Sequence, residues 1–128
     1  MRGLAGRPAL AIVGTTDLDR AMRFYTEVLG LSVIGRDAYG ASLEAGGTEL
    51  RLTLVPAAAP PPYAQVGWRV LGLDDVVARL GQAGVAMVRF ARLEQDETGV
   101  WSSPDGTRVA WFTDPDGTLL SVVEDAQR

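Results

Sequence analysis

An internal repeat constrains the fold of this 128-residue chain more than any other feature of its sequence. Residues 17–19 (Asp-Leu-Asp) align with 72–74 (Gly-Leu-Asp) at an offset of 55 residues. Near the end of each half, 47–52 align with 117–122 at an offset of 70. The larger offset indicates an insertion in the second half. We place it at 94–105, a segment rich in Glu, Asp, Gly and Ser, and expect a mobile loop over one edge of the sheet.

The first half carries the signals of a β-α-β-β-β module. Residues 15–17 (Thr-Thr-Asp) can cap a helix over 18–29, whose apolar residues recur at helical spacing, and Gly30 suits the left-handed position after the helix. The helix residues Met22, Phe24 and Tyr25 are expected in the core rather than at a cofactor. Alternating apolar residues and glycine turns predict strands at 9–13, 32–36, 41–45 and 49–55.

The second half repeats this order after a proline-rich linker at 56–63. Asp114 and Asp116 belong to an Asp-Pro-Asp-Gly turn and are expected to form that turn rather than to act in catalysis. The predicted elements are strands at 65–71, 85–93, 107–113 and 119–124, with a helix at 73–83. The chain is thus expected to form one α+β domain over 1–128, with module one at about 8–55 and module two at about 64–124.

The chain contains no His, no Cys and no Lys, and all 12 of its cationic side chains are Arg. This composition excludes thiolate nucleophiles, lysine Schiff bases and metal sites built on imidazole or thiolate. The net charge of -4 argues against a nucleic-acid partner. No apolar run is long enough to span a membrane, and the first residues lack the pattern of a secretory signal, so a cytoplasmic location is expected.

Two motifs in this repeated chain resemble the vicinal oxygen chelate superfamily, which includes glyoxalases, bleomycin-resistance proteins and ring-cleaving dioxygenases. Residues 17–30 (DLDRAMRFYTEVLG) look like the first helix of the family, and 114–117 (DPDG) look like the turn before its last strand. The resemblance spans about 8–124. It implies a cupped mixed sheet built from two β-α-β-β-β modules, and a homodimer.

In metal-using members of this family, the first and last strand of each module supply one ligand apiece. The resemblance carries these positions onto Leu10, Arg51, Gln65 and Ser121. A leucine cannot coordinate a metal, an arginine repels a cation, and a serine is a poor neutral ligand. Only Gln65 can ligate, so we predict no metal and no cofactor.

The alternation of strand residues predicts which side chains face the inside of the cup. They are Leu10, Ile12, Glu49, Arg51, Thr53, Gln65, Gly67, Arg69, Val109, Trp111, Leu119, Ser121 and Val123. We take this mixed apolar and polar wall as a candidate pocket for a small-molecule ligand. Trp101, in the insertion, is a candidate second aromatic wall.

Each singled-out residue also has a purely structural interpretation. Trp111 suits ordinary sheet packing, and Trp101 suits anchoring of its own loop. Arg51 and Arg69 suit binding of a carboxylate or phosphate. The alternative for these two arginines is pairing with Glu49 or another acidic residue.

Two functions remain open. The first is a metal-independent binding protein, similar to the antibiotic-resistance members of the family, that holds an amphipathic or aromatic compound. The second is a metal-independent isomerase, cyclase or hydrolase, with Glu49 or another pocket carboxylate as the acid or base and Arg51 polarising a carbonyl. The absence of His, Cys and Lys favours binding, and a metal-dependent lyase or dioxygenase is the least expected. The charge of the ligand is left open.

Overall fold

The computed structural model describes residues 3–126, and the chain divides into two compact units between Ala58 and Ala59. This boundary falls inside the proline-rich segment 56–63. Each unit holds one four-stranded mixed sheet, and the predicted repeat of two β-α-β-β-β modules is confirmed. Within the described residues, no helix is long and apolar enough to cross a membrane.

Module one begins with a strand and a helix and continues with three strands. Its elements are β1 (Leu10–Thr15), α1 (Leu18–Arg23), a π-helical turn (Phe24–Val28), β2 (Ser32–Arg36), β3 (Gly40–Ala45) and β4 (Thr48–Leu54). The strands lie in the order β1-β4-β3-β2. The first strand runs parallel to β4, and the other neighbours are antiparallel.

Module two has the same connectivity and the same pairing. Its elements are β5 (Val66–Arg69), α2 (Leu73–Gln82), β6 (Trp101–Ser102), β7 (Arg108–Thr113) and β8 (Leu119–Glu124). The strands lie in the order β5-β8-β7-β6, with β5 parallel to β8. The two halves of the chain therefore fold by one pattern, as the aligned residues predict.

The first helix is shorter in its α form than predicted. The Asp17 side chain caps it by accepting a hydrogen bond from the backbone N–H of Arg20 at 3.1 Å. The hydroxyl of Thr26 donates to the carbonyl of Met22 at 2.7 Å. A Ser or Thr hydroxyl that bonds the carbonyl four residues earlier destabilises a helix slightly and often bends it. The chain therefore passes into a π-helical turn after α1, and Gly30 follows with φ of +78°.

Each sheet buries the face that its helix covers. In module one the buried face carries Val13, Leu43, Leu50 and Leu52, together with Tyr25 from the π-helical turn. The corresponding buried residues of module two are Leu73, Ala110, Phe112, Leu120 and Val122. We call the opposite face of each sheet, turned away from the helix, the far face.

The prediction of a strand over 85–93 is wrong. Only an isolated bridge from Met87 to Phe112 forms there, together with a hydrogen bond from the N–H of Val88 to the carbonyl of Trp111 at 2.7 Å. The outer edge of β7 is already paired along Val109 with β6. The fourth strand of module two thus comes from the predicted loop 94–105, and the segment 85–93 is left irregular.

Candidate ligand-binding site

The far face of module one carries Leu10, Ile12, Glu49 and Arg51. Leu10 pairs with Glu49 and Ile12 with Arg51 across the parallel β1–β4 ladder. Although they lie in a strand, the two aliphatic residues are 51% and 55% exposed. Apolar area of this kind beside polar groups is what a small-molecule site offers.

An ion pair organises the polar part of this face. Nη2 of Arg51 donates to both carboxylate oxygens of Asp37 at 3.0 Å, and its Nη1 donates to the hydroxyl of Ser42 at 3.2 Å. The guanidinium lies beside Gly40, where a Cβ atom would be 3.2 Å from it. The N–H of Tyr39, followed by Arg51, holds the pKa of Asp37 below its ordinary value. The arginine is therefore fixed in place and its charge is balanced.

Both arginines that were candidates for anion binding have acidic partners within their own modules. Arg51 pairs with Asp37, and Arg69 pairs with Asp125. Of the two interpretations considered, the structure favours acid pairing, although the partner of Arg51 is not Glu49. The sequence signal that indicates Asp37 is its place in the Asp-Ala-Tyr-Gly turn before β3, where Asp commonly binds the following backbone N–H groups.

The far face of module two carries the remaining candidate residues. Gln65 precedes β5 and donates its backbone N–H to the carbonyl of Leu119 at 2.9 Å. Two rows of paired residues cross this face, and the strand ladders define them. One row is Gly67, Ser121 and Trp111, and the other is Arg69, Val123, Val109 and Trp101. The predicted alternation of β5, β7 and β8 is therefore present.

Three aromatic rings meet on this face and form what we call the aromatic wall: Phe90, Trp101 and Trp111. Phe90 packs edge-on against Trp111, with ring centroids 5.1 Å apart, and Trp101 lies 6.4 Å from Trp111. All three are partly exposed. Phe90 was not predicted as a site residue, because 85–93 was expected to form a regular strand.

A cavity of about 450 Å³ borders the wall at Trp101. Its lining includes the charged side chains of Arg92 and Glu94 and the buried Val100. Ligand pockets commonly have volumes of about 300 to 1,000 Å³. The wall therefore has accessible space beside it.

The segment 94–105, predicted as a mobile loop, is tied to the rest of module two. Arg89 donates to the carbonyls of Asp96 at 2.7 Å and Glu97 at 2.8 Å. The Asp96 carboxylate accepts hydrogen bonds from the hydroxyl and N–H of Thr98 and from the N–H of Val100. These bonds, the hydroxyl of Thr98 first, lower the pKa of Asp96. Residues 94–100 therefore form a folded turn that leads into β6.

The positions that the family resemblance assigns to metal ligands do not fit a divalent ion. Leu10 has no donor atom, and the guanidinium of Arg51 already binds Asp37. Gln65 and Ser121 are neutral oxygen donors, too few for an ion that needs several. Over residues 3–126, no three acidic side chains cluster in a way that would hold a metal.

Solved structures share this fold at low sequence identity. A member of the glyoxalase/bleomycin resistance protein/dioxygenase superfamily from Sphaerobacter thermophilus is 20% identical, with a TM-score of 0.72, over 95% of this chain and 99% of its own. A glyoxalase family protein from Enterococcus faecalis is also 20% identical, with a TM-score of 0.72, over 94% and 99%. A lactoylglutathione lyase from Agrobacterium tumefaciens is 18% identical, with a TM-score of 0.70, over 94% and 95%.

No curated protein matches the sequence. The sequence model of one family matches residues 8–122, which span module one, the segment between the modules and nearly all of module two. We conclude that the chain belongs to the Glyoxalase/Bleomycin resistance protein/Dioxygenase superfamily.

Proposed function

We propose that this protein binds a small aromatic or amphipathic molecule and does so without a metal ion. The aromatic wall of Phe90, Trp101 and Trp111 carries this proposal. Indole and phenyl rings offer large apolar area at little conformational cost, and offset or edge-on aromatic contacts add to it. The three partly exposed rings, of which Trp101 borders the cavity, are therefore well suited to receive another ring.

The apolar strand residues of module one support the same class of ligand. Leu10 and Ile12 leave half of their surface accessible on the far face, next to the ion pair of Arg51. Covering such area gains about 25 cal/mol per Å² of apolar surface removed from water. An amphipathic compound would gain from this contact.

Because Arg51 and Arg69 are already paired with carboxylates, an uncharged ligand group is favoured beside either of them. Arg51 and Arg69 each face a carboxylate, so an anion would have to compete with Asp37 or Asp125 for its guanidinium. The same pairing weakens the enzymatic alternative in which Arg51 polarises a carbonyl. Independence from metal is proposed because Leu10 and Arg51 stand at two of the expected ligand positions.

A thermal-shift screen with uncharged, anionic and cationic aromatic compounds tests the proposal. We include N-phenyl-naphthylamine, an uncharged fluorophore that brightens in apolar surroundings. A bound compound at about 100 times its dissociation constant should add about 2.7 kcal/mol to the free energy of unfolding. Recovery of the compound with unchanged mass supports binding, whereas conversion supports the enzymatic alternative. No shift with any uncharged aromatic compound would contradict the proposal.

Several expectations from the sequence stay predictions at this point. They are a homodimer, a cytoplasmic location and the absence of a nucleic-acid partner. Light scattering of the purified protein measures the first of them.

A further inference from the structure

We infer that Gln95 is a positioning residue that fixes the aromatic wall, an inference that rests on the proposed function. Its Oε1 accepts a hydrogen bond from the N–H of Phe90 at 2.7 Å. Its Nε2 donates to the carbonyl of Val88 at 3.0 Å and to that of Gly99 at 2.8 Å. One N–H and two carbonyls face the amide, so its orientation is set by the chemistry of its partners.

Gln95 contacts both chain segments that carry the outer rings of the wall. Its side chain binds the backbone of Phe90, and its own backbone forms an antiparallel bridge with Trp101. Both rings in turn meet Trp111. The position of one amide side chain is therefore coupled to two of the three rings.

The amide replaces hydrogen bonds that a regular sheet would supply. The segment around Phe90 pairs with β7 only through the bridge at Met87 and the bond from Val88 to Trp111. Apart from these two contacts, the backbone beneath the ring is held by the bond from the N–H of Leu93 to the carbonyl of Phe90 at 3.0 Å and by the bonds of the neighbouring Arg89. Partly buried N–H and carbonyl groups also need partners, and Gln95 satisfies three of them at once.

The turn that contains Gln95 has its own independent supports. Arg89 binds the carbonyls of Asp96 and Glu97, and the Asp96 carboxylate binds Thr98 and Val100. A change confined to the Gln95 amide therefore leaves these bonds in place. We expect such a variant to fold and to lose only the alignment of the wall.

The test compares Q95E with the wild type and with E97Q. Glutamate has the shape of glutamine and can still accept from Phe90, but its carboxylate cannot donate to the carbonyls of Val88 and Gly99. Glu97 is a matched control because its backbone carbonyl, not its side chain, binds Arg89. Q95A removes all three bonds and serves as a second variant.

Two readouts are measured well below the unfolding temperature. The first is near-ultraviolet circular dichroism, a signal from all aromatic side chains to which Trp101 and Trp111 contribute two of the three tryptophans. The second is the dissociation constant for N-phenyl-naphthylamine. We expect Q95E to reduce the dichroism and to weaken binding about tenfold, because a loosened wall must be ordered on binding. E97Q should match the wild type in both.

Unchanged dichroism and unchanged affinity in Q95E would overturn the inference. Failure of the proposed function has a different signature, since the wild type itself would not bind the fluorophore. In that case the dichroism of Q95E alone would test the inference. A reduced signal would support it, and a wild-type signal would overturn it.

Discussion

Nη2 of Arg51 lies 3.0 Å from both carboxylate oxygens of Asp37, and this pair joins the middle of β4 to the turn between β2 and β3. The Arg51 side chain is only 22% exposed. The N–H groups of Tyr39 and Gly40 also bind the carboxylate, so the turn and the arginine share one anchor. A fixed and balanced cation therefore stands on the far face of module one.

Removing the Asp37 charge should lower stability near neutral pH and have no effect in acid. The N–H of Tyr39 and the Arg51 guanidinium lower the pKa of Asp37 from 3.8, so its contribution is present above that pH and lost as the pH falls through the lowered value. The urea midpoint of D37N should therefore lie below that of the wild type at pH 7, and the gap should begin to narrow below about pH 4 and close as the pH falls through the lowered pKa of Asp37. D19N removes the same charge from an exposed pair with Arg36 and should change the midpoint less. A gap that persists at low pH would contradict this account.

Glycine is required at position 40 for steric reasons. A Cβ atom there would lie 2.1 Å from the carbonyl oxygen of Leu52, besides pressing on the Arg51 guanidinium. We expect G40A to reduce the free energy of unfolding by about 2 kcal/mol, within the usual cost of overpacking. The control is G35A, on neighbouring β2, where a Cβ atom meets nothing within 4 Å. Equal urea midpoints for the two variants would contradict the prediction.

Gly67 and Ser121 should show coupled energetics. A Cβ atom at residue 67 would lie 2.6 Å from Oγ of Ser121, its neighbour across the β5–β8 ladder. We expect G67A to cost about 1 to 3 kcal/mol and the double variant G67A/S121A to recover part of that loss. A double-mutant cycle from urea unfolding measures the coupling. Strict additivity would show that the two residues do not interfere.

Metal addition or removal should leave the protein unchanged. Leu10 offers no donor and Arg51 is held by Asp37, so no divalent ion gains a site from them. Melting temperatures with Mn²⁺, Ni²⁺, Zn²⁺ or a chelator should agree to within about 1 °C, because an ion that binds the native state would raise them. A metal that survives dialysis in near-stoichiometric amount would refute metal independence.

The fold could be predicted from the sequence because the residues that repeat are ones that control local structure. Asp17 and Gly30 mark the two ends of the first helical segment. The ladders also confirm the alignment: Ile12 pairs with Arg51 in module one, and Gly67, aligned with Ile12, pairs with Ser121 in module two. Alternation along each strand then placed the predicted side chains on the far face.

The missed features depend on contacts that no local pattern contains. The assignment of 85–93 to a strand failed because β6, formed by residues outside that segment, already pairs with β7. The partner of Arg51 is Asp37, 14 residues away, whereas the sequence offered the nearer Glu49 as a candidate partner. Phe90 and Gln95 belong to irregular segments that side-chain hydrogen bonds hold together, so periodicity gave no sign of them.

The central claim, that the aromatic wall binds the ligand, is tested most directly by one fluorescence titration. N-phenyl-naphthylamine is titrated into the wild type, W111L and W68L. Trp111 stands in the wall, whereas Trp68 pairs with Val122 on the helix-covered face of the same sheet. We predict that W111L weakens binding about tenfold, or ~1.4 kcal/mol, and that W68L leaves the dissociation constant unchanged. Equal affinity in W111L and the wild type, or no binding by the wild type, would contradict the claim.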